Sequence, residues 1–122
     1  MNPDAGALSI AGIDTGSALR RIGGKRERYE SLLRKFAKQQ AGAVEEIRTA
    51  LAAGDAATAE RGAHSLKGAA AALGANTLAE AAAKTETSIK TGRGMEDALK
   101  SLSACLVAVV KAISDALPDP AT

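Results

Sequence analysis

Apolar positions return every three or four residues through most of the chain, and such intervals predict helices. Tyr29, Leu33 and Phe36, followed by Val44, Ile47 and Leu51, form one buried stripe beginning near Lys25, with Gly42 as the point of a kink or brief break. Gly54-Asp55 closes that element and opens the next, which runs from about Ala56 to Leu73 before Gly74. A further helix runs from about Asn76, a good N-cap, to Thr91, with Leu78, Ala82, Thr85 and Ile89 on one face. After the turn Gly92-Arg93-Gly94, the series Met95, Leu99, Leu102, Leu106, Val109, Ile113 and Leu117 marks the last helix, which Pro118 and Pro120 end. Ahead of all these, Ile10 and Ile13 precede Asp14 and Thr15, either of which caps a short helix carrying Leu19 and Ile22. Gly23-Gly24 stops it. The pattern as a whole predicts an all-α fold: an antiparallel up-down-up-down four-helix bundle with a short additional N-terminal helix. It occupies residues 10–117, between a disordered tail at 1–9 and a second tail at 118–122.

Composition agrees with helices. Apolar residues make up 46% of the 122 but aromatics only 2%, and much of the apolar share is alanine. Sandwiches and barrels draw more heavily on β-branched and aromatic residues. Helices packed closely through small side chains are the natural expectation. The net charge of +2 is too small to suggest a nucleic-acid binder, and the basic run from Arg20 to Lys38 is interrupted by Glu27 and Glu30, as on a solvated helix face. A single cysteine, Cys105, excludes an intramolecular disulfide and fits a reducing compartment. The chain start lacks the basic and apolar regions of a signal peptide. Cys105 to Val110, the greasiest segment, is too short to span a bilayer and lies between Lys100 and Lys111. A cytoplasmic protein without membrane contact is expected.

Chemistry concentrates in the segment Ala63 to Gly74, AHSLKGAAAALG. On a helical wheel, Ala59, Ala63, Leu66, Ala70 and Leu73 fall together and face the core, while His64 lies roughly 140° from their centre. Its outward neighbours are Ala57, Glu60, Lys67, Gly68 and Ala71. Lys67, three residues on, is placed to neutralise an incoming anion. Gly68 stands where alanine would favour the helix by roughly 0.5–1 kcal/mol, so it asks for another reason, such as space for a phosphoryl group and a close partner. No Ser, Cys or Asp nucleophile has triad spacing, and His64 is the only histidine, so no zinc site is in view. Gly23-Gly24-Lys25 lacks the preceding strand, the spacing and the following Ser/Thr of a phosphate loop. The imidazole is the best nucleophile available.

The next turn centres near Ala75, eleven residues after His64, and Glu86 lies eleven residues beyond it, at similar height on the antiparallel neighbour. There its carboxylate would accept a bond from Nδ1–H and leave Nε2 to attack; a shift of one residue would bring Thr85 or Thr87 instead. Plainer readings stand beside these. A lone exposed histidine needs no function, Lys67 serves as helix solvation, Gly68 eases helix packing, and Glu86 pairs with Lys90 on the surface.

His64-Ser65-Leu66-Lys67-Gly68, preceded by Ala63 and followed by Leu73-Gly74, resembles the motif of histidine-containing phosphotransfer (HPt) domains. The earlier stretch, with Gly12-Ile13-Asp14, Leu19, Gly23-Gly24, Tyr29, Leu32-Leu33 and Phe36, is similar to the lead-in of such domains, notably in hybrid sensor kinases. The resemblance covers about residues 10–116. It implies a phosphorelay role: a receiver domain's aspartyl phosphate passes its phosphoryl group to His64 Nε2, and a second receiver takes it, reversibly. Such domains have no ATP site and no kinase activity, and the receiver supplies the aspartate and the magnesium, so no resident cofactor or metal is expected. The resemblance further implies that Lys67 steers the phosphoryl group, that Gly68 permits docking, and that Glu86 occupies the place of a polar residue that often bonds the histidine. Expected partners are response-regulator receiver domains and a hybrid sensor kinase. Their docking face would be the strip around His64, extended by the short helix near Leu19 and Ile22. Competing readings are a non-phosphorylated helical interaction module, a small hydrolase using His64 as base, and a kinase dimerisation domain. The last would build its bundle from two chains, whereas one chain here supplies every long helix and predicts a monomer.

Overall fold

Six helices fill residues 10–117, which the computed structural model describes: α1 Thr15–Arg21, α2 Arg26–Gln40, α3 Ala43–Ala52, α4 Ala56–Ala72, α5 Asn76–Thr91 and α6 Met95–Ala116. The expected tails at 1–9 and 118–122 lie outside the described residues. Helices α2 and α3 are one bundle element broken at Ala41-Gly42, where Gly42 leaves helical geometry at φ −94° and ψ 7°. Glu45 and Glu46 in the first turn of α3 suit the positive end of the restarted helix. This element, α4, α5 and α6 pack in sequence, and α6 closes back on α2 and α3, which makes the four-helix bundle.

Its core follows the stripes read along the chain, except that Leu51 and Met95, at the ends of theirs, are only partly buried against it. Tyr29, Leu33, Ile47, Leu66, Leu78, Leu102 and Ile113 are buried almost completely. Ala59, Ala63, Ala70 and Ala82 are fully buried between them, so small side chains do bring the helices close. Gly62 takes this furthest, because a Cβ there would come within 3.1 Å of the Ile47 side chain on α3.

The two ends of α4 fix the helix that carries His64. At the N-terminus the Asp55 carboxylate accepts from the Thr58 backbone N–H at 3.1 Å and from its hydroxyl at 2.6 Å. At the C-terminus the chain turns through Gly74 at φ +85°, with Ala75 N–H bonded to Ala70 O and Gly74 N–H to Ala71 O. For this reason Asn76 is not the cap expected for α5. It is the first helical residue, and the cap position falls to Ala75, still engaged in closing α4.

The carbonyls that end α4 are then satisfied by α1 and α2. Arg21 donates to Ala71 O at 2.9 Å and Ala72 O at 3.4 Å, the buried Tyr29 hydroxyl donates to Leu73 O at 2.7 Å, and Asp14 N–H donates to Gly74 O at 2.8 Å. Contact at Gly74 is so close that a Cβ would lie 2.5 Å from Asp14 O. Arg21 thus departs from the expectation of a merely solvated basic face: it reaches across the bundle to close another helix.

Candidate functional site

His64 projects from the middle of α4 with its side chain 66% exposed, as its wheel position requires when Ala63 and Leu66 on either side of it are buried. Opposite stands Glu86 of α5, whose side chain is only 11% exposed. Its Oε2 lies 3.0 Å from His64 Nδ1, and its Oε1 accepts from Lys67 Nζ at 2.9 Å. The hairpin register therefore brings Glu86 to the histidine. Thr85 is fully buried and donates to Ala81 O, and Thr87 is exposed elsewhere on α5.

Two further charges join the group. Lys90 Nζ lies 3.8 Å from Glu86 Oε2 and 3.4 Å from Glu60 Oε1, so it bridges α5 to α4. The surface pairing of Glu86 with Lys90 thus coexists with the bond to His64. Lys67 holds the Glu86 carboxyl below the usual carboxylate range, helped by the bond to His64 and opposed by partial burial. An ionised carboxylate only accepts hydrogen bonds, so Nδ1 is the nitrogen that donates to it, and in the neutral ring that tautomer leaves the lone pair on Nε2. The arrangement presents an oriented imidazole on an exposed face beside a cation.

Gly68 lies on the same face, and a Cβ built there would meet nothing within 4 Å. Helix packing therefore does not explain this glycine, whereas it does explain Gly62 on the opposite side of α4. Next to the strip, Ile22, Leu32, Phe36, Ala69 and Ala72 border a shallow hollow of about 300 Å³, and Leu32 is one of two large apolar residues left exposed among the described residues. Leu19 is partly buried against the core. Among the described residues no three His, Cys, Asp or Glu side chains are grouped to hold a metal ion, and no helix is long and apolar enough to cross a membrane.

Of the residues that the sequence singles out, His64 and Lys67 of α4 meet Glu86 of α5, and Gly68 lies exposed one turn beyond His64. Sequence reasoning passed over the bridge from Lys90 to Glu60, although the signal was present: each stands four residues from a site member, Glu60 before His64 and Lys90 after Glu86.

Fold and site define a one-chain helical bundle that displays a carboxylate-anchored histidine. The Hpt domain family model matches residues 31–117, from the second turn of α2 to the end of α6, and the chain belongs to that family. Domains of this family are phosphocarriers of phosphorelays and exchange phosphoryl groups with receiver domains. Comparison with curated proteins and with solved structures gave no match.

Proposed function

We propose that His64 is the phosphoryl acceptor of this domain, taking the group on Nε2 from a receiver aspartyl phosphate and giving it to another receiver. The observation that carries this reading is the 3.0 Å contact from Nδ1 to a largely buried carboxylate beneath a ring that is itself mostly exposed. Held in this way, the ring is already oriented for in-line attack, and positioning supplies much of the rate in phosphoryl transfer. Lys67, bonded to Glu86 in the resting domain, turns to the phosphoryl oxygens when they arrive. Gly68 leaves room for the receiver's loops, and the hollow at Ile22 and Leu32 extends the docking face.

The domain acts without ATP and without a metal of its own; magnesium and the acceptor aspartate come from the receiver. It works as a cytoplasmic monomer, free-standing or joined to a hybrid sensor kinase. The test is transfer from a receiver domain, phosphorylated by a small-molecule donor, to the wild-type protein and to His64→Gln. Acid-labile, alkali-stable label on the wild type alone is the expected result. Absence of label on both folded proteins, with several receivers tried, would leave a non-phosphorylated interaction module as the better reading.

A further inference from the structure

Glu86 is a carboxylate where a neutral amide would serve equally well to orient the ring, and its charge has a chemical consequence. Once Nε2 bears a phosphoryl group, the ring keeps its Nδ1 proton only as a cation. If that proton leaves, the Nδ1 lone pair faces the lone pairs of Glu86 Oε2 across 3.0 Å. We propose, resting on the reading of His64 as phosphoryl acceptor, that Glu86 holds the phosphorylated ring in its Nδ1-protonated, transferable form.

In transfer from His64, an oxygen of the acceptor carboxylate bonds to phosphorus, and the electron pair of the N–P bond returns to Nε2. With Nδ1 protonated, the leaving group is neutral imidazole, and the domain recovers its resting tautomer with the Nδ1 proton still hydrogen-bonded to Glu86. Without that proton the leaving group is an imidazolate anion, which departs far more slowly. In the reverse direction Nε2 bonds to phosphorus, the P–O bond of the aspartyl phosphate breaks with its electron pair left on the aspartate carboxylate, and the ring becomes a cation that Glu86 stabilises. No proton changes place in either direction, as suits a carrier whose steps run both ways.

The charges facing the ring decide the sign. Glu60 and Lys67 stand on α4, and Glu86 and Lys90 on α5. On the other flank of α4, Glu46 of α3 and Arg61 line the groove that holds Ser65. Glu86 is the least exposed of the ion-paired carboxylates and the one that touches the ring. Lys67 draws on the same carboxylate, so it acts against proton retention. Glu86 is here a positioning residue whose charge also matters, and a pH profile separates the two roles.

The full chain is phosphorylated with phosphoramidate, without any receiver, and the ring nitrogens of phosphorylated His64 are titrated by ¹⁵N NMR. Imidazole rings change charge between roughly pH 5 and 8, so the range is accessible. Glu86→Gln keeps a hydrogen-bonding group of the same shape and is expected to lower the proton affinity of the phosphorylated ring tenfold or more, which is one pKa unit in logarithmic terms. Spontaneous loss of label at about pH 8 slows correspondingly, while at about pH 5, where both rings are protonated, the two proteins match. Lys67→Gln is expected to move the titration the opposite way, which general loosening of the site would not do. If wild type and Glu86→Gln titrate together, this inference is overturned and the acceptor role of His64 stands. If neither phosphoramidate nor a receiver labels His64, the acceptor role fails and the inference with it.

Discussion

Two glycines in the middle of α4 carry opposite physical meanings, although each follows a basic residue and precedes an alanine. Gly62 faces Ile47, whose Cγ1 would have to give way to a Cβ at 3.1 Å, whereas Gly68 opens onto empty space. Alanine is favoured over glycine inside a helix by roughly 0.5–1 kcal/mol, so Gly68→Ala is expected to stabilise the domain by about that amount. At Gly62 the same gain is offset by the crowding at Ile47, and Gly62→Ala should fall below Gly68→Ala in denaturant midpoint. Despite its added stability, Gly68→Ala should transfer phosphoryl groups from a receiver more slowly. A variant that gained stability and lost no transfer would show that the space at Gly68 serves no partner.

The helix that presents His64 is held at its ends by residues far away in the chain. Tyr29 donates to Leu73 O from a fully buried position on α2. Tyr29→Phe keeps the ring packing but leaves the Leu73 carbonyl without that donor, which should cost about 1–2 kcal/mol. The check is a lower urea midpoint with an unchanged slope, since the surface exposed on unfolding stays the same. At this scale the elements were legible because glycine and aspartate punctuate them: Gly54-Asp55 and Gly74 mark real ends. Propensity puts the cap at Asn76, one residue late, because the closing bonds of α4 reach as far as Ala75, a tertiary detail that propensity does not record. Arg21 differs from its expected place for a similar reason. A guanidinium in a basic run looks the same whether it meets water or the end of another helix.

Across the whole molecule, the site was legible because a short turn makes its two helices count residues in opposite directions, which sets His64 and Glu86 level. Height alone did not choose among Thr85, Glu86 and Thr87; the rotation of α5 about its axis did, and packing of Leu78, Ala82 and Ile89 fixes that rotation. Polar contacts on α4 and around it govern how the fold responds to pH. Asp55 is held below the ordinary carboxylate range by its bonds from Thr58, and Glu86 chiefly by Lys67. Depressed carboxyls contribute stability above their unfolded values and lose it as pH falls through the folded ones, so acid loss begins in the ordinary carboxylate range and continues below it. Tyr29 sets the alkaline side with the opposite sign. Burial, aided by Asp14 and opposed by Arg21, raises its phenol from 10.0 to about 12. Its contribution is complete below pH 10 and disappears as pH rises towards about 12, because the unfolded chain releases that proton first. The chain has one tyrosine and no tryptophan, so phenolate absorbance reports this group alone. It should appear only near pH 12, together with loss of helical circular dichroism. Phenolate forming near pH 10 in a fully helical protein would mean that water reaches the hydroxyl, and the account of how α4 is closed would fall with it.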